Sequence, residues 1–398
     1  MAATDAAKAK AIPGTRRILV ATHGSTGDLA PFVPVVAALQ ALGDECQFAV
    51  PRFLGLHLRR LGIPHVTYGS GTDSATLRDD RLVTNRFAGW ESWRRLTVDH
   101  IGRALPVDVA SIAATFDAWS PDIVVTSTFA VAPRVAARTS GIPHVALSLY
   151  PQLQVLEASN GRSFARGLLS AVGEAAAESP DDPLVRALAW GQTDGGALLH
   201  DPVLVAPSSL SAPEQLIGFP YWDAFPHHSA TVDEIKQWLA NRNRPVVLVT
   251  LGSFVRRPAT LDAIVHALAS LAVDVLIINS GRDERTEHVV ATGFVPLSSV
   301  ASHCAAAVHH GGIGTTYGIL RSRVPSVIVP QAFDQQYNAN LVARAGVGRS
   351  TTLADLTTTV RSVLRDDTML DVTTRSAASL IPTDDVVRRA CELIRSAT

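Results

Sequence analysis

The sequence predicts an α/β protein made of two domains, each a parallel sheet wrapped in helices, and three observations carry that prediction. Two segments open alike: Arg17 to Leu42 and Pro245 to Leu271 each hold a short β-branched run, a Gly-Ser turn and a helix with apolar spacing of three and four. The chain has 398 residues, more than a single hydrophobic core usually sustains. Between and after the two openings, short apolar runs alternate with helical patterns, which is the signature of parallel strands joined by helical crossovers.

In chain order, the first half is expected to place strands at 17–22, 46–50, 122–126 and 144–149, with helices such as Phe32–Leu42 and Ala130–Thr139 between them. The second half is expected to place strands at 246–250, 274–279, 305–309 and 325–329. Asp384 to Ser396 has the apolar spacing of a final amphipathic helix. These elements divide the chain into a flexible arm at 1–15, a first Rossmann-like domain at 16–214, a linker at 215–244, a second Rossmann-like domain at 245–380 and a C-terminal helix at 381–398. The linker assignment rests on the turn-rich stretch Gly218-Phe219-Pro220-Tyr221-Trp222-Asp223 and the polar helix candidate after it.

Composition narrows the function. With 47% hydrophobic and 18% charged residues, a mean hydropathy of +0.18 and a formal charge of -1, the chain has the makeup of a globular protein without the basic footprint of a nucleic-acid binder. Any phosphate it holds is therefore bound by local donors and dipoles. Cys46, Cys304 and Cys391 are too few and too scattered for a disulfide framework or a metal site, which fits a reducing cytoplasm. No apolar run approaches roughly 18 residues, so stable membrane insertion is not expected. A monomer or homodimer is expected.

The most telling stretch is Ala305 to Gly348. A buried strand should end at His309-His310, and the glycines that follow turn the backbone into a helix beginning near Gly314. Glycine permits close approach to a ligand, the helix start presents unpaired N–H groups, and Thr315 and Thr316 add hydroxyl donors. A second apolar run, Val324 to Pro330, leads to Asp334-Gln335, and a parallel sheet puts both loops on one edge. A phosphate cradle beside groups that read hydroxyls suits a nucleotide sugar. A dinucleotide site is the competing reading, since Asp334 lies 20 residues beyond Gly314. However, Gly312, Gly314 and Gly318 are spaced GxGxxxG instead of GxGxxG, and a histidine pair does not precede the dinucleotide pattern.

Over roughly 55 residues, Gly293 to Gly348, this region resembles the signature of the nucleotide-sugar-dependent glycosyltransferases of the GT-B class, which have two Rossmann-like domains facing a central cleft and a C-terminal helix crossing back to the first domain. The resemblance implies that His310, Gly312, Gly314 and Thr315 hold the diphosphate and that Asp334 and Gln335 bind the sugar. Phe294 and Val295 stand where the family places a tryptophan and its neighbour against the pyrimidine base; Phe294 is either a stacking partner or an ordinary core side chain. Ser253 matches the family's Gly-Ser turn near the phosphates.

Thr22 to Pro31 resembles the family's Gly-Ser-x-Gly-Asp-x-x-Pro segment, found in sterol, rhamnolipid and glycopeptide-antibiotic branches. It makes Asp28 the candidate base for the acceptor hydroxyl, with His23 as its rival; Asp28 could instead cap the helix at Phe32. Where histidine-base branches carry an aspartate partner, this chain has Ser127. For the acceptor, the segments 82–105, with Trp90 and Trp93, and 151–169, together with Ser127 and Tyr150, are expected to line an apolar pocket, or else to pack helices. The resemblance implies an inverting, metal-independent, cofactor-free transfer from a UDP- or dTDP-sugar to a hydrophobic secondary-metabolite acceptor, or alternatively to a lipid or sterol. A sugar-nucleotide epimerase and a non-catalytic helper with the same fold are the readings of another class.

Overall fold

A computed structural model describes residues 14–69, 103–149, 195–207, 216–252, 258–331 and 334–398. Its first sheet contains β1 (Arg17–Ala21), β2 (Glu45–Pro51), β3 (His65–Tyr68), β4 (Ile123–Thr126), β5 (His144–Ser148) and β6 (Gly195–Leu198), all parallel, in the order β3-β2-β1-β4-β5-β6. The second contains β7 (Val246–Thr250), β8 (Asp274–Ile277), β9 (Glu284–Arg285), β10 (Val289–Ala291), β11 (Ala306–His309), β12 (Ser326–Ile328) and β13 (Gly348–Ser350). Its order is β13-β12-β11-β7-β8-β10-β9, and only the short edge strand β9 runs antiparallel. Apart from β9, both sheets have the doubly wound order in which the chain reverses direction beside its first strand, between β1 and β4 and between β7 and β11.

The expected strands form within a residue or two of their predicted places. Strands β3, β6, β9, β10 and β13 were not legible: each is short, β3 mixes polar with apolar residues, and β9 is two exposed charged residues. Burial on both sheet faces explains why the central strands read as continuous hydrophobic runs. In the second sheet Val247, Val249, Val275, Ile277 and Val308 enter one core, whereas Val246, Leu248, Leu276, Ile278 and Ala307 enter another on the opposite face. The helix Ser229–Ala240 presses Val232, Ile235 and Leu239 into the latter core, and so its apolar face is committed to the second sheet.

The C-terminal helix, Thr383–Ser396, buries Val386, Val387, Ala390, Cys391 and Ile394, a stripe at helical spacing, against the first domain. The Cys391 thiol lies 3.8 Å from the Val35 carbonyl oxygen, and the Arg16 guanidinium donates to the carbonyls of Arg395 and Ala397 at 2.6 and 3.3 Å. Those carbonyls are the unpaired end of the helix, where a cation is also favoured by the helix dipole.

A buried polar joint ties the halves together. The Asp201 N–H donates to the Tyr317 hydroxyl at 2.7 Å, and that hydroxyl lies 3.3 Å from His200 Nδ1. The Tyr317 ring stacks on Phe219 at 4.4 Å, and Asp201 Oδ2 accepts the Ile381 N–H at 2.7 Å. A Cβ at position 318 would lie 2.6 Å from the Tyr221 hydroxyl, so the last glycine of the motif serves helix packing and not a phosphate. Among the described residues no helix is long and apolar enough to cross a membrane.

Candidate active site

The two reversal points put two strand-turn-helix units at carboxyl strand ends. In the first, β1 ends and Thr22 to Ser25 turn into a one-turn helix, Thr26–Leu29. Ser25 is its N-cap: the hydroxyl accepts from the Gly27 N–H at 3.1 Å, while Asp28 Oδ2 accepts from the Ser25 N–H at 2.6 Å and hydroxyl at 2.9 Å. Asp28 is therefore the third helical residue of this short helix and not the cap of the helix at Phe32, which Pro31 begins without a side-chain bond. Gly24 has φ +119°, and a Cβ there would lie 2.5 Å from Asp28 Oδ2; the glycine makes room for the carboxylate. His23 is half-buried, and desolvation pushes its imidazole down to about 4. Ser127 is 2% exposed, and its hydroxyl accepts from the His23 N–H at 3.3 Å, so it braces the turn.

In the second unit, β11 ends at His309, and Gly312 caps the helix Ile313–Arg321 without any side-chain hydrogen bond. The adjacent histidines divide the work. His309 is fully buried and doubly bonded: its Nδ1 accepts the Gly311 N–H at 3.1 Å, leaving Nε2–H to donate to the Ser326 hydroxyl at 3.1 Å. Its ring is structural. The His310 ring lies between two glycines. A Cβ at Gly252 would stand 2.6 Å from Cε1, and one at Gly312 would overlap Nε2. Burial pushes this imidazole down to about 4, opposed by its hydrogen bond to the Thr250 backbone, and Nε2 is the ring atom nearest Gly312.

Around His310, Gly314 has open space where a side chain would be, and Thr315 is half-buried. Thr316 departs from expectation: its hydroxyl is buried and donates to the Gly312 carbonyl at 3.0 Å, because a threonine inside a helix can bond back to the preceding turn. Strand β12 is the parallel neighbour of β11, and Asp334 begins the helix Gln335–Arg344 after it. Gln335 is buried, and its Oε1 accepts the Gln331 N–H at 2.7 Å. Desolvation first, and then the charge of Asp28, push the Asp334 carboxyl up to about 7. The charge of Asp28 in the first unit thus bears on Asp334 in the second.

At the far side of the edge, Phe294 is 39% exposed and meets Phe225 edge-on at 5.9 Å, whereas Val295 is fully buried and can offer a ligand only its backbone. Ser253, Trp90, Trp93 and Tyr150 lie outside the described residues. Among the described residues no group of three or more His, Cys, Asp and Glu side chains is arranged to hold a metal ion. Sequence reasoning missed Asn338, which is buried and bonds Asp334. The signal available was its spacing of four from Asp334 at the start of a helix.

Residues 262–392 match the family described as erythromycin biosynthesis protein CIII-like, C-terminal domain. Aclacinomycin-T 2-deoxy-L-fucose transferase of Streptomyces galilaeus is 27% identical over 379 residues, covering 83% of each chain. Vancomycin aglycone glucosyltransferase of Amycolatopsis orientalis is 26% identical over 373 residues, covering 83% of this chain and 85% of its own. The chain is a GT-B glycosyltransferase. Solved structures agree on the fold of this glycosyltransferase. Spinosyn rhamnosyltransferase SpnG, solved with thymidine diphosphate, superposes with a TM-score of 0.70 at 22% identity, over 94% of this chain and 99% of that one. SnogD from Streptomyces nogalater gives a TM-score of 0.65 at 22% identity, over 95% and 99%.

Proposed function

We propose that this glycosyltransferase moves a hexose or deoxyhexose from a UDP- or dTDP-sugar to a hydroxyl of a hydrophobic secondary-metabolite acceptor, inverting the anomeric centre without a metal. One observation carries the donor half: the helix Ile313–Arg321 starts without a side-chain cap, and the buried His310 ring sits against that start with Nε2 as the ring atom nearest Gly312. An anion at this helix start would accept from the unpaired N–H groups and from the imidazole beside them, and would meet the helix dipole. Thr315 adds a hydroxyl, Ser253 and the backbone at Gly312 and Gly314 complete the diphosphate cradle, and Phe294 with the Val295 backbone holds the pyrimidine. Asp334, helped by Gln335, receives the sugar hydroxyls.

Asp28 is the base in this proposal, and not His23, because it is the Asp28 charge that bears on the Asp334 carboxyl. The acceptor oxygen attacks the anomeric carbon, its proton passes to Asp28, and the bond from that carbon to the diphosphate oxygen breaks with its electron pair. The helix start and His310 stabilise the charge that develops on the departing diphosphate. The acceptor is read by the first domain, with Trp90, Trp93 and Tyr150 as its apolar contacts and Ser127 bracing the turn below. The relatives named above, one acting on an antibiotic aglycone and one solved with thymidine diphosphate, support this substrate class.

The test is calorimetric titration with UDP, dTDP and NAD(H) in the absence of divalent metal. A pyrimidine diphosphate is expected to bind, and His310→Ala to weaken it roughly 10- to 100-fold, the effect of losing a hydrogen bond to a charged group. Binding of NAD(H) alone would overturn the reading.

A further inference from the structure

The Asn338 side chain is 3% exposed and spends its amide on two acceptors from different loops. Its Nδ2 donates to the Gly311 carbonyl at 2.8 Å and to Asp334 Oδ2 at 2.7 Å. Gly311 follows His310 directly and precedes the Gly312 cap, so its carbonyl belongs to the diphosphate turn. Asp334 belongs to the next loop of the sheet edge. Both amide hydrogens are thereby used, one on each side of the gap between β11 and β12.

We infer that Asn338 is a positioning residue that locks the sugar-reading carboxylate of Asp334 to the diphosphate turn, so that the two parts of a nucleotide sugar are read in one fixed register. The inference rests on the proposed donor site. Three observations support it. With Oδ2 held by the amide, the Asp334 carboxylate has one defined orientation, and its other oxygen is the one turned to a sugar. The turn is held by its carbonyl, so a shift of the diphosphate is passed through one planar amide to the carboxylate. Finally, the amide opposes the two influences that disfavour the ionised form of Asp334, desolvation and the Asp28 charge facing it from the first domain, and so keeps available the form that accepts from hydroxyls.

The experiment compares the affinity of the full-length protein for dTDP or UDP with that for the corresponding nucleotide sugar, and follows donor kcat/KM against pH, for wild type, Asn338→Ala and Asp334→Ala. Wild type is expected to bind the sugar nucleotide more tightly than the bare diphosphate. Asn338→Ala should remove most of that increment, roughly tenfold or more for a hydrogen bond to a charged group, and should move the acid limb of the pH profile upward. If Asn338→Ala weakens thermal stability but leaves the sugar increment and the pH limb unchanged, while Asp334→Ala abolishes the increment, then Asn338 is merely structural and the inference falls. If Asp334→Ala also leaves the increment intact, the donor-site reading is what fails. Should Asn338→Ala not fold, Asn338→Ser, which keeps a single donor, gives the same readouts: a partial loss supports the inference and wild-type values overturn it.

Discussion

The turns after β1 and after β11 are built on the same plan, yet their helix starts are finished in opposite ways. Each follows the first strand of its sheet or that strand's neighbour, at the point where a doubly wound order reverses, and each leads through glycine into a helix. In the first, Ser25 and Asp28 form a reciprocal capping box, so the N–H groups that would attract an anion are already used and a negative charge stands beside them. In the second, Gly312 supplies no side-chain cap and the His310 ring lies alongside between Gly252 and Gly312. In the proposed mechanism, capping with an acid gives a platform for a base and repels phosphate, and leaving the cap off leaves room for an anion. On that proposal, one supersecondary unit serves either end of a transfer reaction, and the cap decides which.

The largest expected effect is at the capped turn. Asp28→Asn keeps the shape of the box but cannot take a proton, and turnover at saturating substrates should fall by roughly 10²–10⁴-fold, the usual contribution of a general base, with diphosphate affinity unchanged. Steady-state kinetics beside calorimetry separates the two, and near-normal turnover would hand the role to His23.

A smaller effect comes from the charge that the first turn imposes on the second. Because burial and the Asp28 charge push the Asp334 carboxyl up to about 7, raising the pH from 6 to 8 should ionise most of it, and donor KM should fall about tenfold over that window. The corresponding stability has the opposite sign: a carboxyl whose folded value is raised stabilises the fold below its ordinary range and loses that contribution as pH rises through about 7. Asp334→Asn should therefore raise Tm at pH 8 relative to wild type, a gap that closes toward pH 4, and should flatten the KM profile.

The smallest effect tests the cap itself. Ser25→Ala removes the hydroxyl that pairs with Gly27 and Asp28, and should cost about 1 kcal/mol of stability, a few degrees in Tm, by thermal denaturation. Diphosphate binding in the second domain should not change.

Much of this was legible in the sequence. Strands buried on both faces read as apolar runs, so the central strands and the two openings could be placed, and a histidine-glycine turn followed by Asp334-Gln335 in the next loop had a chemistry of its own. Periodicity could not reach β3, β9 or β13, because a short edge strand owes its pairing to its neighbour more than to its own pattern. Nor could it tell His309 from His310, adjacent residues of one type. Alternation along a strand turns them to different surroundings, one onto Ser326 and the other between two glycines, and only the packed sheet supplies those partners. Tertiary structure likewise decided that Thr316 bonds its own helix, that Asn338 joins two loops, and that Asp28 and Asp334, 306 positions apart in number, repel each other across one cleft. The sequence by itself determined which groups were available and on which strand ends they stand. Their partners depend on distances between segments remote along the chain, and those distances exist only once both sheets have folded and the C-terminal helix has closed on the first.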